Sequence, residues 1–420
     1  MIGQVNDLYN HKCEHCGGFI EDLSDDGINW DDIYSKIAQE LLNNPDIKIN
    51  ADLHLNTAKR LSKGLNEALG TDLAYDSERA ILSEYLQRNI YAFSAAKSLV
   101  QMKYYRDAMI GDDGKIISKG AYIKKIADTG EIFNRTHLAA EYENAYQSAI
   151  MAHKWETLDA EYLQYTTVGD RNVRPEHQAL DKFTAAKSDP VWRRIYPPNG
   201  WNCRCSVIPG KENRANEGLT SIEAEKMMKP ILKDTPFDNN VGISKTVFDA
   251  EHPYFINSKG KETNLSWKEY GMPNLDKIRT EELPEYKSGT KEDFLKWWDK
   301  QPKHKDNDIA VRDPLGQEVL LQSHEGKRGK PTGFFKEHIF DNNNNRENFA
   351  LEVPNVIKSP DEIWFNPKDK NSRTYIKYYE QGTLKMVVNQ NMQAVTMFEI
   401  LDKYTGELDK SRRGILYYRK

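Results

Sequence analysis

Two pairs of cysteines are the part of this sequence whose residue types and spacing most directly suggest chemistry. The 420-residue chain has four cysteines, arranged as Cys13-x-x-Cys16 and Cys203-x-Cys205. A C-x-x-C turn places two thiolates where they can bind one tetrahedral zinc ion. A pair supplies only half of such a site, so the remaining ligands must come from another part of the chain.

Two sets of ligands meet this requirement. In the first set, all four thiolates bind one ion and join the N-terminus to the middle of the chain. In the second, Cys203 and Cys205 bind an ion together with His177 and an unidentified fourth ligand. No open-site motif such as H-E-x-x-H accompanies the cysteines, so a bound zinc would be structural. The alternative without metal is that the thiols are reduced and half-buried, because free cysteine commonly packs as a small apolar side chain.

Composition and charge limit the classes of protein that the sequence can form. Apolar residues make up 38% and charged residues 29% of the chain, which is typical of a folded protein. No run of about 18 apolar residues occurs, and residues 1–16 do not resemble a secretory signal, so we expect a cytoplasmic protein without a membrane partner. Residues 310–420 carry 18 Lys and Arg against 15 Asp and Glu, whereas residues 1–309 carry 41 against 49. This difference would let a polyanion approach the C-terminal region.

Apolar periodicity predicts that the first part of the chain is helical. Apolar residues recur every three or four positions in residues 30–44, 77–109 and 131–158, which indicates three amphipathic helices. Ser77 is placed to cap the second of these helices. Its predicted buried stripe contains Ile81, Leu82, Tyr85 and Leu86.

The pattern changes after Leu163, where a short extended run leads into a turn at Gly169-Asp170 and then into a helical turn that Pro175 opens. Residues 320–420 read as helices followed by short β-branched and aromatic runs, which favours an antiparallel sheet. We therefore predict an α+β fold. Its predicted regions are an N-terminal C-x-x-C segment (1–27), a helical bundle (28–160), a small α+β module (161–212), a connector (213–309) and a C-terminal domain of helices and antiparallel sheet (310–420).

The module at 161–212 resembles the phage Mu F-like minor head proteins, also called the head morphogenesis family. Its motif elements occur in order as Gly169-Asp170, Val173-Arg174-Pro175-x-His177, Pro197-Pro198-x-Gly200-Trp201 and Cys203-Arg204-Cys205. The resemblance implies a phage or prophage head protein that is made in the cytoplasm, assembles into the virion and contacts portal and capsid proteins. One departure is visible, since Arg135-Thr136-His137 stands where such proteins often have Arg-Thr-Glu.

The residues of the module add a physical expectation to this resemblance. Its prolines fix the φ angle of the backbone, and Trp201 supplies a large side chain to bury. Arg171, Arg174 and Arg204 are available to pair with acids or with phosphates. We expect a rigid clip around the thiols.

Residues 310–420 resemble the phage-associated branch of the barnase, EndoU, colicin and RelE-like nucleases. The resemblance rests on the order of elements and on short pieces, namely KEHI, TYIKYYE, LKMVVN, AVTMFEI and RRGILYYRK. It implies RNA cleavage without a metal or other cofactor, in which the 2′-hydroxyl attacks the adjacent phosphorus and leaves a cyclic phosphate. Such a reaction needs a base, an acid and a positive group beside the phosphate.

The resemblance also suggests which residues would fill these roles. His338 is the candidate base or acid, because the pKa of histidine lies near neutrality. The candidates for the phosphate are Lys377, Arg412 and Arg413, and those for positioning it or moving a proton are Tyr375, Thr396 and Tyr417. Strand alternation places Tyr375 and Lys377 on one face. Two alternatives stay open: a non-catalytic binding domain on a nuclease scaffold, and a toxin of an integrated element with an immunity protein as its partner.

Overall fold

A computed structural model of the protein describes residues 5, 8, 9, 27–215, 217–258, 264–323, 340 and 346–420. The chain forms two compact units, and their helices and antiparallel sheet confirm the predicted α+β class. Unit 1 consists of Met1–Pro45, Asp52–Thr71 and Ile81–Gly260. Unit 2 consists of Asp46–Ala51, Asp72–Ala80 and Lys261–Lys420.

Long helices form most of unit 1. They are α1 (Trp30–Asn43), α2 (Ala51–Leu69), α3 (Glu78–Asp107), α4 (Lys119–Glu131) and α5 (Leu138–Thr157), with a π-helical turn (Ile132–His137) between the last two. Asn29 caps α1 by accepting a hydrogen bond from the Asp32 backbone N–H at 3.1 Å. None of the helices in the described ranges combines the length and the apolar character that a membrane crossing needs.

The helix predictions were correct in outline and incomplete in detail. The Ser77 hydroxyl accepts from the Ala80 N–H at 3.2 Å, as expected of a cap. In the predicted stripe of α3, Leu82 and Leu86 are buried, but Ile81 is 51% exposed and Tyr85 is 48% exposed. Each exposed residue directly precedes a buried one, and successive side chains point about 100° apart around a helix. The buried stripe is therefore narrower than predicted.

Helix α2 was not predicted, and its buried face shows why. Along with its apolar residues, that face includes His54, Thr57 and Arg60, which are all buried. Polar side chains on the inner face weaken the apolar periodicity from which a helix is recognised. The predicted third helix is also interrupted, because residues 131–158 include the π-helical turn before α5.

A small antiparallel sheet follows the helices, in the order β2-β1-β3. Its strands are β1 (Tyr162–Thr166), β2 (Thr184–Ala186) and β3 (Ser206–Pro209), and the short helices α6 (Pro175–Ala179) and α7 (Trp192–Ile195) lie between them in sequence. Leu163, Tyr165 and Val207 are buried. The extended run and the Pro175 helical turn predicted for this module are both present.

Residues 213–309, predicted as a connector, are divided between the two units. Their first part adds α8 (Ser221–Leu232), α9 (Val241–Ser244) and α10 (Pro253–Ser258) to unit 1. Phe248 in this part is fully buried and stacks on Phe93 of α3 with ring centroids 3.7 Å apart. The second part adds β4 (Leu265–Ser266), α11 (Leu275–Ile278) and α12 (Lys291–Lys300) to unit 2.

A six-stranded antiparallel sheet organises unit 2, in the order β10-β9-β8-β7-β11-β4. A hairpin of β5 (Ile309–Arg312) and β6 (Glu318–Leu321) precedes it in sequence. The remaining strands and helices of the unit are β7 (Glu362–Asn366), β8 (Ser372–Tyr378), β9 (Thr383–Val388), β10 (Ala394–Ile400), β11 (Arg413–Arg419), α13 (Val353–Lys358) and α14 (Thr405–Ser411). The predicted meander is therefore present, and β11 pairs with β7 on the side away from β8.

The sheet of unit 2 depends on residues before position 310. Strand β4 pairs with the start of β11. Tyr270 packs edge-on against Trp364 with centroids 5.3 Å apart, and its hydroxyl accepts from the Leu416 N–H at 3.2 Å. A segment starting at residue 310 would leave these buried contacts without partners.

Candidate functional site

His177, Cys203 and Cys205 converge in the interior of unit 1, and we call them the His–Cys cluster. The His177 Nδ1 atom lies 3.8 Å from Cys203 Sγ and 3.5 Å from Cys205 Sγ. All three side chains are buried, and their ligand atoms lie within 4.8 Å of one another. Within the described ranges this is the group of three or more His, Cys, Asp or Glu side chains whose geometry could hold a metal ion.

Residues of the sequence motif position this cluster. His177 lies on α6, which starts at Pro175, and Cys205 directly precedes β3. The Arg174 Nη2 atom donates to the Trp201 carbonyl at 2.6 Å, which ties the start of α6 to the segment that carries the cysteines.

A second tie crosses the same region on the surface. Arg204 lies between the two cysteines and forms a two-pronged ion pair with Asp170, at 2.7 and 2.8 Å. Arg174 and Arg204 therefore bind groups of the protein itself, as the expected rigid clip requires.

The two thiols of the cluster differ in acidity. The pKa of the Cys203 thiol is held well below its usual value, because the Cys205 thiol donates a hydrogen bond to it and His177 adds to the effect. The pKa of the Cys205 thiol is raised by that same hydrogen bond and by burial. Of the two thiols, Cys203 is therefore the more acidic.

The arrangement corresponds to the second of the two predicted ligand sets. Cys13 and Cys16 lie outside the described residues, so their part in a shared site stays a prediction. The described part of the N-terminal segment contacts the motif: Trp201 Nε1 donates to the Leu8 carbonyl at 3.2 Å, and Tyr9 stacks on Trp201 at 4.7 Å.

Sequence reasoning missed a buried ion pair in unit 1, which we call the Lys–Glu network. Lys97 Nζ lies 2.6 Å from Glu141 Oε2, and both side chains are fully buried. Lys97 also donates to the Phe133 carbonyl at 2.7 Å, and Tyr9 donates to Glu141 at 2.6 Å. Phe133 lies in the π-helical turn, where the altered ladder frees a carbonyl for a side chain. In the sequence, Lys97 and Glu141 look like ordinary polar positions on helices.

His137, which stands where the resemblance led us to expect a glutamate, packs beside the Lys–Glu network. The His137 ring is buried and stacks on Tyr9 with centroids 3.9 Å apart. Burial, together with the positive charge of Lys97, lowers the pKa of His137 to about 3. The His137 ring is therefore neutral near pH 7, and the buried acid of this region is Glu141, one helical turn later.

Tyr375, one of the predicted catalytic residues, belongs to a buried group in unit 2 that includes Asp313 and Arg373. The Tyr375 hydroxyl donates to Asp313 Oδ2 at 2.7 Å, and Arg373 Nη1 lies 3.8 Å from the same oxygen. Asp313 Oδ1 accepts from the backbone N–H groups of Leu315 and Gln317, each at 2.9 Å. Burial raises the pKa of the Asp313 carboxyl, and Arg373 opposes that shift. We call this group the Arg–Asp–Tyr cluster; only Tyr375 was predicted.

Lys377 and Tyr417 also make internal contacts. Lys377 lies on the same face of β8 as Tyr375, as the alternation predicted, and its Nζ donates to the Ser359 carbonyl at 2.5 Å. Burial lowers the pKa of Lys377. Tyr417 is buried and stacks on Phe365 at 5.2 Å, with the Arg373 guanidinium 4.9 Å from its ring centroid.

Two neighbouring arginines, Arg412 just before β11 and Arg413 at its start, have different surroundings. Arg412 is buried, binds Glu362 through two hydrogen bonds at 2.9 and 2.7 Å, and donates to the Pro273 carbonyl at 2.8 Å. Arg413 is exposed. Thr396 is partly exposed and lies at an irregularity of β10. His338 lies outside the described residues.

Two family models match separate parts of the chain. Residues 107–208, which contain the His–Cys cluster, match the family described as Phage Mu protein F like protein. Residues 299–419, which contain the Arg–Asp–Tyr cluster, match the phage-Barnase-EndoU-ColicinE5/D-RelE like nuclease2 family. No solved structure matches the chain.

Two curated relatives are similar to part of the chain. "Putative capsid assembly protein F" of Escherichia phage Mu is 30% identical over 223 residues, which cover 52% of this chain and 48% of that protein. The Mu-like prophage FluMu F protein of Haemophilus influenzae is 31% identical over 123 residues, which cover 27% of this chain and 30% of that protein. The chain thus spans less than half the length of either relative. From these matches, the chain carries a Phage Mu protein F-like domain and, C-terminal to it, a nuclease-like domain of the phage Barnase-EndoU-ColicinE5/D-RelE type.

Proposed function

We propose that the protein acts in head assembly of a Mu-like phage or prophage and that unit 2 adds an RNA-cleaving activity. The observation that carries the first half is the 30% identity over 223 residues to a phage Mu protein named for capsid assembly. The internal contacts of Arg174 and Arg204 agree with a rigid structural part. On this proposal the protein is made in the cytoplasm, binds portal and capsid proteins and is carried in the virion.

The RNA-cleaving half rests on the match of residues 299–419 to a nuclease-like family. We assign metal-independent cleavage, with His338 as base or acid and Arg413 as the exposed cation for phosphate. The Arg–Asp–Tyr cluster gives Tyr375 a fixed position, since Asp313 accepts a hydrogen bond from its hydroxyl and two backbone N–H groups hold that carboxylate in place. On this proposal Tyr375 acts as a positioning residue.

One observation favours the alternative that unit 2 binds a partner without cutting it. Four of the predicted side chains, those of Tyr375, Lys377, Arg412 and Tyr417, contact internal groups of the protein. A domain that only binds would keep such contacts for stability and would need neither acid nor base.

The experiment that separates these functions uses the full chain, because unit 2 includes strand β4 and segments before α3. The purified protein is incubated with RNA in the presence of a chelator, and the products are tested for 2′,3′-cyclic phosphate ends. We expect cleavage by the wild type and a loss of about 10²–10⁴-fold in His338→Ala, the usual contribution of a general acid or base.

A matched pair of variants tests the positioning role of Tyr375. Tyr378→Phe is the control, because Tyr378 is the buried tyrosine of the same strand that donates to Glu362 at 2.9 Å on the other face. We expect Tyr375→Phe to lower kcat with little change in KM, and Tyr378→Phe to leave both unchanged. RNA that stays intact with the wild type but is bound by it would establish the binding alternative.

Head assembly is tested in a phage or lysogen that depends on this gene. Its deletion is expected to reduce the yield of DNA-filled heads, and the His338→Ala protein is expected to restore that yield, because assembly does not require cleavage. Portal protein should co-purify with the tagged chain.

Toxicity of the wild type, absent in His338→Ala and relieved by a neighbouring gene, would identify an immunity protein as a further partner.

A further inference from the structure

We propose that His177, Cys203 and Cys205 bind one structural zinc ion that clamps the Phage Mu protein F-like domain. This goes beyond head assembly and RNA cleavage, and it depends on neither.

The distances fit a tetrahedral site. Zinc binds cysteine sulfur at about 2.3 Å and histidine nitrogen at about 2.0–2.1 Å, so a nitrogen and a sulfur on one tetrahedral ion lie about 3.6 Å apart. The two measured nitrogen-to-sulfur distances are 3.8 Å for Cys203 and 3.5 Å for Cys205. Thiolates and imidazoles are also ligands that bind zinc in preference to harder cations such as magnesium or calcium.

Hydrogen bonding alone accounts poorly for the same arrangement. Both sulfurs approach one nitrogen, His177 Nδ1, which has a single in-plane lone pair or a single proton and can make one good hydrogen bond. The other ring nitrogen, Nε2, is buried and has no hydrogen-bond partner in the part of the chain that the structure describes. A cation among the three atoms would give both sulfurs and Nδ1 one shared partner and would fix the ring proton on Nε2.

The site has the properties of a structural ion. All three side chains are buried, so solvent has little access to the position between them. The ion would join α6 to the segment before β3, and the loop it closes, residues 177–205, contains β2 and α7. Closing a long loop restricts the unfolded chain and thereby stabilises the fold. The Arg174–Trp201 contact holds the same two segments together before any metal binds.

The first test measures zinc in protein purified without added metal, by mass spectrometry and by a chromophoric chelator. We expect about one zinc per chain in the wild type. Cys203→Ser and His177→Gln are each expected to lose it, whereas the control His153→Gln, on the partly exposed His153 of α5, is expected to keep it. Zinc that is fully retained in Cys203→Ser or in His177→Gln would overturn the proposal.

A second measurement keeps the proposal testable if those variants fail to fold. Cobalt(II) added to metal-free wild-type protein reports its ligands through a sulfur-to-cobalt absorption band and through the visible bands of tetrahedral cobalt. We expect both. Absence of zinc in the wild type together with absence of the sulfur band would refute the site.

The double variant Cys13→Ser/Cys16→Ser separates this site from the shared four-thiolate site. The wild-type chain has four cysteines, so this variant keeps two thiols, those of Cys203 and Cys205. We expect it to retain zinc and to expose two thiols to a chromophoric disulfide only after chelation. Loss of zinc in this variant, with retention in His177→Gln, would replace our proposal with the four-thiolate site.

Discussion

The His–Cys cluster of unit 1 and the Arg–Asp–Tyr cluster of unit 2 are both buried polar groups, but they are satisfied in different ways. In unit 2, Asp313 accepts hydrogen bonds from Tyr375 and from two backbone N–H groups, and a guanidinium lies beside it. In unit 1, two sulfurs and an imidazole nitrogen, all atoms able to bind a metal ion, lie within 4.8 Å of one another. The Arg–Asp–Tyr cluster therefore needs no further ligand, whereas a bound cation would stabilise the His–Cys cluster.

This difference gives a way to separate structural from functional polar residues inside a protein. Complementary charges that meet one another indicate a contact that stabilises the fold. Groups of one chemical type, each able to donate an electron pair, indicate a ligand from outside the chain. Three other groups in the chain allow this distinction to be tested: Arg412 and Arg413, the buried histidine beside the Lys–Glu network, and the surface ion pair beside the His–Cys cluster.

The largest effect is expected at Arg412, which lies next to Arg413 on β11. Both side chains of the Arg412–Glu362 pair are nearly inaccessible, at 1% and 4% exposure. Arg412→Met would leave the Glu362 carboxylate buried and unpaired, which costs about 3–5 kcal/mol. We expect a corresponding loss in the free energy of unfolding of unit 2, measured by urea denaturation.

Arg413→Met is the matched control, because Arg413 is the next residue in the chain and its side chain is exposed. It should change the free energy of unfolding by no more than about 0.5 kcal/mol while weakening RNA binding if Arg413 contacts phosphate. Equal destabilisation by the two substitutions would contradict the division between a structural and a surface arginine.

The sequence could predict the local parts of this picture but not the long-range ones. His177, Cys203 and Cys205 lie within 30 residues of one another in a motif with recognisable spacing, so their convergence could be proposed in advance. Arg412 and Glu362 lie 50 positions apart, and Lys97 and Glu141 lie 44 apart. Their pairing follows from strand order and from a π-helical turn, neither of which leaves a periodic signal.

The same limit applies to the elements of the fold. Strands β7 to β11 have β-branched and aromatic runs of their own, and they were predicted, whereas the hairpin of β5 and β6 was not. Strand β4 has two residues and pairs with β11. Two residues are too few to show a strand pattern in the sequence, so β4 was not predicted. Tertiary contacts, rather than local propensity, decide such short elements.

An intermediate effect is expected for His137, a buried histidine that faces a cation instead of sulfurs. Its pKa is about 3 in the folded protein and near 6.5 when unfolded, so between these values only the unfolded chain binds the proton. Stability contributed by the neutral ring is therefore present above about pH 6.5 and is lost as the pH falls toward 3. The loss approaches about 1.4 kcal/mol per pH unit for one proton.

His137→Gln tests this linkage. The groups that face the ring are Tyr9, Lys97, Phe133 and Tyr254. The variant should be less stable than the wild type at pH 7, but its free energy of unfolding should fall less steeply between pH 6.5 and pH 5. The control, His153→Gln, should keep the wild-type slope. Equal slopes for His137→Gln and the wild type would show that the ring is not neutral in the folded protein.

The smallest effect is expected at the surface ion pair of Asp170 and Arg204, although it lies closest to the His–Cys cluster. Both side chains are more than a third exposed, at 43% and 38%, so water and salt screen their attraction. Asp170→Asn should therefore leave the urea midpoint within experimental scatter. The zinc content should also stay unchanged, because the cysteines are held by burial and by the Arg174–Trp201 contact rather than by this pair. If Asp170→Asn released zinc, the cysteines would depend on a screened surface contact, and the distinction between buried and exposed polar groups would fail at the site where it matters most.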